Sequence, residues 1–136
     1  MANTIKNQEE ILAKLNIYEL NEMQKEAISV IENTRDTIIL SPTGTGKTLA
    51  FLLPTLKMIA IDQKNIQVLI LVPSRELAIQ IEQVIREMGT GFKVNAVYGG
   101  RSMAKDKIEL KHTPSILIGT PGRISDHFAN NRFSKE

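Results

Sequence analysis

The sequence predicts an α/β domain with a mostly parallel sheet, and three patterns lead to that fold class. Short β-prone runs alternate with helical runs along most of the 136 residues. The run at 66–72 is almost continuously apolar, which is typical of a strand buried on both faces. A glycine-rich turn at 41–48 joins one β-prone run directly to a helical run. Strands and helices that alternate at this spacing favour parallel strands joined by right-handed crossovers.

Four strands and the helices around them follow from local patterns. The predicted strands lie at 37–40, 66–72, 92–98 and 115–118. Residues 74–88 show the helical period most clearly, because their apolar positions share one face. Those positions are Leu77, Ile81, Val84, Ile85 and Met88. Asn21, with Gln24 three residues later, predicts a capping box at the start of a helix over 22–31.

Residues 41–48 read Ser-Pro-Thr-Gly-Thr-Gly-Lys-Thr and predict a phosphate-binding loop. Main-chain N–H groups at the start of the next helix would point at a phosphate, whose charge the helix dipole favours. Gly44 and Gly46 would let the backbone curl around the phosphates, because glycine tolerates positive φ. Lys47 would reach the β and γ phosphates, and the Thr48 hydroxyl would ligate Mg²⁺. The alternative is an ordinary turn with a solvated lysine, but the strand before it and the helix after it favour the nucleotide.

Composition agrees with one soluble domain in a reducing compartment. The chain is 42% hydrophobic and 24% charged, close to the average for globular proteins. Seventeen basic and fifteen acidic residues give a net charge of +2, which is too balanced to establish a nucleic-acid partner. The absence of cysteine excludes a disulfide framework and a thiolate metal site. The first six residues lack the apolar core of a secretion signal, so a cytoplasmic protein is expected.

Three other loops follow predicted strands, and each carries hydroxyl, glycine or arginine residues. They read Pro-Ser-Arg-Glu-Leu-Ala at 73–78, Gly-Gly at 99–100 and Thr-Pro-Gly-Arg at 120–123. Ligands of an open parallel sheet bind at the carboxyl ends of its strands. Helix N-termini, hydroxyls and cations at that edge suit the phosphates of a nucleotide and those of a polymer backbone.

Each side chain in these loops also has a simpler explanation. Arg75 and Arg123 could be solvated arginines in the first turn of a helix, although their place at strand ends favours phosphate contacts. Ser74 and Thr120 also suit helix N-caps, and one residue can serve both purposes. The remaining basic side chains are assigned to a solvated helix face or to no site. These are Lys105, Lys107 and Lys111 on the helix face, and His112 and His127, which have no evident partners.

The four loops together resemble the motifs of the DEAD-box RNA helicases of superfamily 2. In chain order they resemble motif I at 41–48, motif Ia at 73–78, the GG motif at 99–100 and motif Ib at 120–123. Gln24 stands where the family's Q motif places a glutamine that reads adenine. The resemblance extends from about residue 11 to residue 130. It implies the first RecA-like domain of such an enzyme, a three-layer P-loop fold.

The resemblance also implies ligands and activity. The ligands are ATP, Mg²⁺ and the backbone of RNA, and the reaction is RNA-dependent ATP hydrolysis coupled to local unwinding of RNA duplexes. Nucleotide contacts are implied for Asn21, Gln24, Ser41, Thr43, Gly44, Thr45, Gly46, Lys47 and Thr48. Lys47 and Thr48 would act in catalysis, with Thr48 on the metal. RNA contacts are implied for Pro73, Ser74, Arg75, Gly99, Gly100, Thr120, Pro121, Gly122 and Arg123.

Two features depart from the family's pattern. The Q motif usually reads Pro-Thr-Pro-Ile-Gln, whereas residues 20–24 read Leu-Asn-Glu-Met-Gln, and Asn7 falls near the place of the aromatic that stacks on adenine. The sequence ends at Glu136, before motif II, which would help hold Mg²⁺ and orient the attacking water. The expectation is therefore an inactive fragment of an enzyme. A non-catalytic RNA-binding or decoy fragment and a superfamily 2 DNA helicase fragment are the alternatives.

The same ending predicts an incomplete sheet. By resemblance, the strands that carry motifs II and III lie between the strands at 37–40 and 66–72. Without them, both strands would expose unpaired N–H and C=O groups beside apolar side chains. Three outcomes would resolve this: the two strands close up, a second copy fills the gap by strand exchange, or the missing segment of the parent is present but unseen. Of these, dimerisation or exchange is expected.

Overall fold

Helices and strands alternate along the chain in the computed structural model, which describes residues 7–130. In order they are α1 (Gln8–Lys14), α2 (Glu22–Asn33), α3 (Lys47–Lys57), β1 (Val68–Leu71), α4 (Arg75–Glu87), β2 (Val94–Val97), α5 (Met103–Glu109), β3 (Ile116–Gly119) and α6 (Pro121–Ala129). The expectation about a secretion signal concerns the first six residues and lies outside the described residues.

The three strands form one parallel sheet in the order β1-β3-β2. Val68 of β1 and Val94 of β2 both lie opposite Ile116 of β3, so the strands end at the same level. The predicted fold class and three of the four predicted strands are confirmed. The loops after β1, β2 and β3 consequently meet at one edge of the sheet.

Helices cover both faces of this sheet and produce three layers. On one face, helices α1 to α4 share a core cluster with strand residues that include Ala96 and Ile118. On the other face, Leu110 and Ile124 pack with Val97 and Leu117. Burial of each leucine or isoleucine contributes about 1.5–3 kcal/mol, so these two clusters supply the main driving force for folding.

The helix predicted at 74–88 is confirmed as α4. Ile81, Ile85 and Met88 are buried, and Leu77 and Val84 pack partly buried against the same cluster. Ser74 caps the helix, since its Oγ accepts a hydrogen bond of 3.2 Å from the N–H of Leu77.

The prediction of a strand at 37–40 is wrong. These residues adopt irregular structure, and Ile38 and Leu40 are 89% and 92% exposed. Their β propensity depends on pairing with a neighbouring strand and on packing over a face. Among residues 7–130, the strand ladders join only β1, β2 and β3, so this segment has no strand partner there.

The expectation that 66–72 is buried on both faces is also wrong. Leu69 and Leu71 are 44% and 55% exposed, because β1 lies at the edge of the described sheet. Leu69 pairs in register with Leu117, which places it on the α5 and α6 face. Those helices cover β2 and β3 there, and the leucines of β1 stay uncovered within the described part of the chain. Closure onto 37–40, one of the alternatives, does not occur among the described residues, and the homodimer stays a prediction.

Helices able to cross a membrane are not found in residues 7–130, since none there is both long enough and apolar enough.

Candidate nucleotide and nucleic-acid site

The turn before α3 has the backbone that a phosphate-binding loop requires. Gly44 and Gly46 have φ values of +84° and +83°, in the left-handed region that glycine enters without strain. Gly46 is the N-cap of α3, and no side chain accepts a hydrogen bond from the first N–H groups of this helix. The start of α3 therefore offers main-chain donors and the positive end of a helix dipole.

Side chains within the loop hold its curled shape. The Lys47 Nζ donates to the carbonyl oxygen of Ser41 at 2.8 Å. The Thr45 hydroxyl donates to the carbonyl oxygen of Pro42 at 2.7 Å. The only hydroxyl hydrogen of Thr45 is used there, so Ser41 is the donor in the 2.5 Å contact between the two hydroxyls. The lysine ammonium therefore lies across the mouth of the loop, while Thr43 is exposed at its tip.

The start of α2 is bound directly to this loop. Asn21 and Gln24 form the predicted capping box, in which each side chain accepts a hydrogen bond from the other residue's backbone N–H. Gln24 Nε2 also donates to the carbonyl oxygen of Gly46 at 3.2 Å, and Asn21 Nδ2 donates to that of Thr45 at 3.0 Å. Both amide atoms of the buried Gln24 are therefore used within the chain. Its role in reading adenine stays a prediction, and the structure adds a role in holding the loop.

Asn7 caps α1 at the place where the family pattern has an aromatic ring. Its Oδ1 accepts a hydrogen bond of 2.9 Å from the N–H of Glu9. A helix cap is thus the role that the structure gives this residue.

The loops after β1 and β2 lie in contact. The Arg75 guanidinium is largely exposed and donates to the neighbouring Glu76 at 3.1 Å. A Cβ placed on Gly100, whose φ is +86°, would lie 3.2 Å from Arg75 Nη1. The pKa of Glu76 is lowered by a hydrogen bond from its own backbone N–H and by the one from Arg75. Motif Ia and the GG motif are therefore neighbours, with Pro73, Gly99 and Gly100 exposed beside the arginine.

The start of α6 resembles the start of α3 in one respect. Thr120 is its N-cap, and no side chain caps the first turn, which begins with the exposed Pro121 and Gly122. Among the helices of residues 7–130, α1, α2, α4 and α5 are each capped by a side chain. The two helices without such a cap begin at the predicted nucleotide loop and at motif Ib.

Arg123 lies mostly inside the protein, with only 11% of its side chain exposed. Its Nη2 donates to the carbonyl oxygen of Arg101 at 2.5 Å. Its Nη1 lies 3.4 Å from Met103 Sδ and 3.5 Å from Asp106 Oδ2. The phosphate contact implied for this arginine stays a prediction, while Arg75 presents its charge to solvent.

A buried polar network behind these loops was not predicted from the sequence. Asp106 and His127 are both fully buried, and His127 Nε2 lies 2.9 Å from Asp106 Oδ2. Arg101 Nη1 donates to Asp106 Oδ1 at 2.8 Å and to the carbonyl oxygen of Ala96 at the same distance. The expectation that His127 has no partner is therefore wrong. The sequence contains one sign of this network, a polar residue within the apolar face of each of two helices. These residues are Asp106, before Leu110, and His127, after Ile124.

Glu109 completes the network at its outer side. Its carboxylate accepts from Arg101 Nη2, and this hydrogen bond lowers the pKa of Glu109 although partial burial opposes the shift. Burial lowers the pKa of Arg101, but the bond and charge of Glu109 and the charge of Asp106 outweigh it and raise that pKa. The lysines of this region, Lys105, Lys107 and Lys111, are exposed, as the sequence predicts.

Comparison with known proteins identifies the family. A model described as DEAD/DEAH box helicase matches residues 21–136. The chain belongs to this family. The four loops described above all lie within the matched residues.

Relatives and a solved structure agree with this assignment. The chain is 46% identical over 104 residues to "Probable ATP-dependent RNA helicase YfmL" of Bacillus subtilis, covering 75% of this chain and 28% of that protein. It is 41% identical over 115 residues to "DEAD-box ATP-dependent RNA helicase RhpA" of Helicobacter pylori, covering 83% of this chain and 23% of the relative. A crystal structure of a hypothetical ATP-dependent RNA helicase from Sulfolobus tokodaii matches with a TM-score of 0.78 and 26% identity, over 93% of this chain and 38% of the other. This DEAD/DEAH box chain therefore spans less than a third of the curated relatives named here.

Proposed function

We propose that the chain is the ATP-binding and RNA-backbone-binding part of a DEAD-box RNA helicase. The observation that carries the nucleotide half is the start of α3, where two left-handed glycines precede a helix turn without a side-chain cap. Anions bind at such helix starts because the N–H groups and the dipole both favour negative charge. The family and the names of the relatives supply ATP as the nucleotide.

The residues of the loop fit a nucleotide triphosphate and its Mg²⁺. A Cβ on Gly46 would lie 2.4 Å from Gln24 Nε2, so a side chain at this position would displace the Gln24 amide that bonds the loop. The ammonium of Lys47 is held at the loop mouth by one carbonyl oxygen, and phosphate oxygens would replace that contact. Thr48 would supply a hydroxyl to the metal. Bound ATP supplies the phosphoryl group for hydrolysis, and these residues position it and offset its charge.

The RNA half lies at the carboxyl edge of the sheet. We assign it the exposed Arg75, the glycines at 99–100 and the helix start at 120–122, with Ser74 serving as the cap of α4. Main-chain N–H groups and one guanidinium can bind phosphates, but they do not contact base edges. Binding of RNA should therefore be independent of its sequence. Two sites on separate loops would let nucleotide and RNA bind to the same domain.

For the whole protein we propose RNA-dependent ATP hydrolysis coupled to local duplex unwinding. The groups of motif II are absent from the 136 residues, so this chain alone is proposed to bind without turnover.

A cytoplasmic location is proposed because the absence of cysteine suits a reducing compartment. A homodimer through the edge of β1 is proposed because, within residues 7–130, β1 pairs on one side only and its Leu69 and Leu71 lie exposed. A strictly monomeric chain in analytical ultracentrifugation would contradict this proposal.

The test is a pair of titrations on the purified chain, one with a fluorescent ATP analogue and one with a labelled single-stranded RNA. Binding of both, with no release of phosphate, supports the proposal. The same titration with DNA of equal length separates the two nucleic acids, and tighter binding of DNA would favour a superfamily 2 DNA helicase. Failure to bind the ATP analogue would leave a non-catalytic RNA-binding chain, and RNA-stimulated turnover by residues 1–136 would overturn the fragment proposal.

A further inference from the structure

Asp106 is a completely buried carboxylate whose partners come from two other parts of the chain. Its Oδ1 accepts from Arg101, and its Oδ2 lies near both His127 and Arg123. Burial of a carboxylate is very unfavourable unless charged and hydrogen-bonding partners compensate it. The positions of those partners are therefore tightly coupled to the position of this side chain.

The partners belong to the two loops of the proposed RNA site. Arg101 directly follows the glycines at 99–100, and Arg123 closes motif Ib at the start of α6. The two arginines also contact each other, because Arg123 Nη2 donates to the carbonyl oxygen of Arg101. Arg101 in turn donates to the carbonyl oxygen of Ala96 in β2. The carboxylate thus joins the loop after β2, the sheet and the first turn of α6.

We propose that Asp106 is a positioning residue of the RNA site, fixing the start of α6 relative to the GG loop through Arg101 and Arg123. This inference rests on the proposed RNA binding. The carboxylate has no exposed surface and cannot touch RNA. The direction in which the uncapped N–H groups of the first turn of α6 point depends on the position of that helix. Asp106 fixes this position through its contacts with Arg123 and His127 on the buried side of α6.

Positioning and plain electrostatics predict opposite results when this charge is removed. Loss of one negative charge beside two arginines would strengthen attraction of a polyanion if charge alone mattered. Loss of the positioning contacts would instead let the helix start and the GG loop move, and hydrogen bonds to phosphates weaken steeply when their geometry is lost. The sign of the change in RNA affinity therefore separates the two explanations.

The experiment compares Asp106→Asn with Asp126→Asn in the full chain. Asp126→Asn removes the same charge from an exposed position on α6. We expect Asp106→Asn to weaken binding of a labelled single-stranded RNA by about tenfold, equivalent to one or two misplaced charge-assisted hydrogen bonds. Asp126→Asn should bind RNA as tightly as the parent or slightly more tightly. ATP binding should be unchanged in both variants, because the side-chain hydrogen bonds of the loop at 41–48 go to the loop itself and to Asn21 and Gln24.

A residue-level measurement distinguishes positioning from general loss of stability. In ¹H–¹⁵N spectra, the amides of Gly100 and Gly122 should shift in Asp106→Asn and respond less to RNA, while those of Gly44 and Gly46 keep their positions. If Asp106→Asn does not fold, Arg101→Lys carries the test, since it keeps the charge and loses the planar fork that bonds Asp106. The same tenfold loss is expected there.

Two outcomes overturn the proposal at different levels. RNA affinity of Asp106→Asn, or of Arg101→Lys in its place, equal to that of Asp126→Asn would overturn the positioning role while the RNA site stands. A parent chain that binds ATP but no RNA would overturn the RNA site and the positioning role with it.

Discussion

Gln24 Nε2 donates a hydrogen bond of 3.2 Å to the carbonyl oxygen of Gly46, which joins the start of α2 to the turn before α3. The oxygen of the same amide accepts a hydrogen bond from the backbone N–H of Asn21, which completes the capping box. A side chain at position 46 would have to displace this amide. Helix α2 and the loop at 41–48 are therefore joined by hydrogen bonds, and a substitution in either should disturb the structure of the other.

Gly46→Ala should abolish ATP binding, whereas Gly44→Ala should only weaken it. Both alanines would occupy the left-handed region, at a cost of about 1–2 kcal/mol. Only the Cβ at position 46 would strike Gln24, while nothing lies within 4 Å of a Cβ at position 44. Isothermal titration of ATP into both variants checks this pair, and equal losses would show that strain alone matters.

Gln24→Ala should remove a preference for ATP over GTP and lower stability by about 1 kcal/mol, the usual value of a helix cap. An amide donates and accepts at once, which matches the N7 acceptor and N6 donor of adenine, while guanine presents two acceptors. The control is Gln80→Ala, which removes an exposed glutamine from α4. Equal affinity of the parent chain for the two nucleotides would remove Gln24 from this role.

Arg75→Ala should weaken RNA binding and flatten its dependence on salt. With about three phosphates neutralised, the slope of log affinity against log salt for a single strand is about −2 in the parent, and loss of one cation should reduce it by about 0.7. Arg86→Ala is the matched control, because Arg86 lies at the other end of the same helix and pairs with Glu82. Fluorescence anisotropy over a range of salt concentrations measures both slopes. A steep slope that is unchanged in Arg75→Ala would place the RNA on another surface.

Glu109→Gln should lower stability at neutral pH and match the parent in acid. The folded-state pKa of Glu109 lies below its ordinary 4.5, mainly because Arg101 donates to the carboxylate. The ionised form therefore stabilises the fold above the unfolded pKa, and this contribution is lost as the pH falls through the folded pKa. The pair is partly exposed and screened, so the effect at pH 7 is at most about 1 kcal/mol.

Thermal unfolding between about pH 3 and pH 7 measures this effect. Glu26→Gln, an exposed glutamate of α2 for which the described residues show no ion pair, should match the parent throughout. A deficit in Glu109→Gln that persists unchanged in acid would contradict the ion-pair explanation.

Sequence patterns predicted the elements whose partners are helices or buried strands. The period of α4 and the apolar runs of β2 and β3 were sufficient, because each buries its apolar positions against the core. The two glycines of the loop at 41–48 were predictable for a related reason, since the curled turn before α3 holds both of them at positive φ. These features depend on local patterns that a single sequence contains.

Features set by distant partners were not predictable in this way. Residues 37–40 have the composition of a strand, yet strand formation requires a neighbour that the described residues do not provide. The buried network joins Arg101, Asp106 and His127, which are separated along the chain and meet only because β2 and β3 are adjacent. A polar residue in the apolar stripe of a helix was the only local sign of it.

We propose that this domain holds two separate sites, one for ATP at 41–48 and one for RNA at the carboxyl ends of β1, β2 and β3. Binding of a fluorescent ATP analogue and of labelled RNA should be measured for Lys47→Ala and Arg75→Ala, with Lys57→Ala as a control at the other end of α3. Lys47→Ala should lose ATP binding, keep RNA binding and unfold like the parent, because Lys47 bonds only a loop carbonyl among the hydrogen bonds of the described residues. Arg75→Ala should keep ATP binding and lose RNA affinity. ATP binding by Lys47→Ala equal to that of Lys57→Ala would contradict the account.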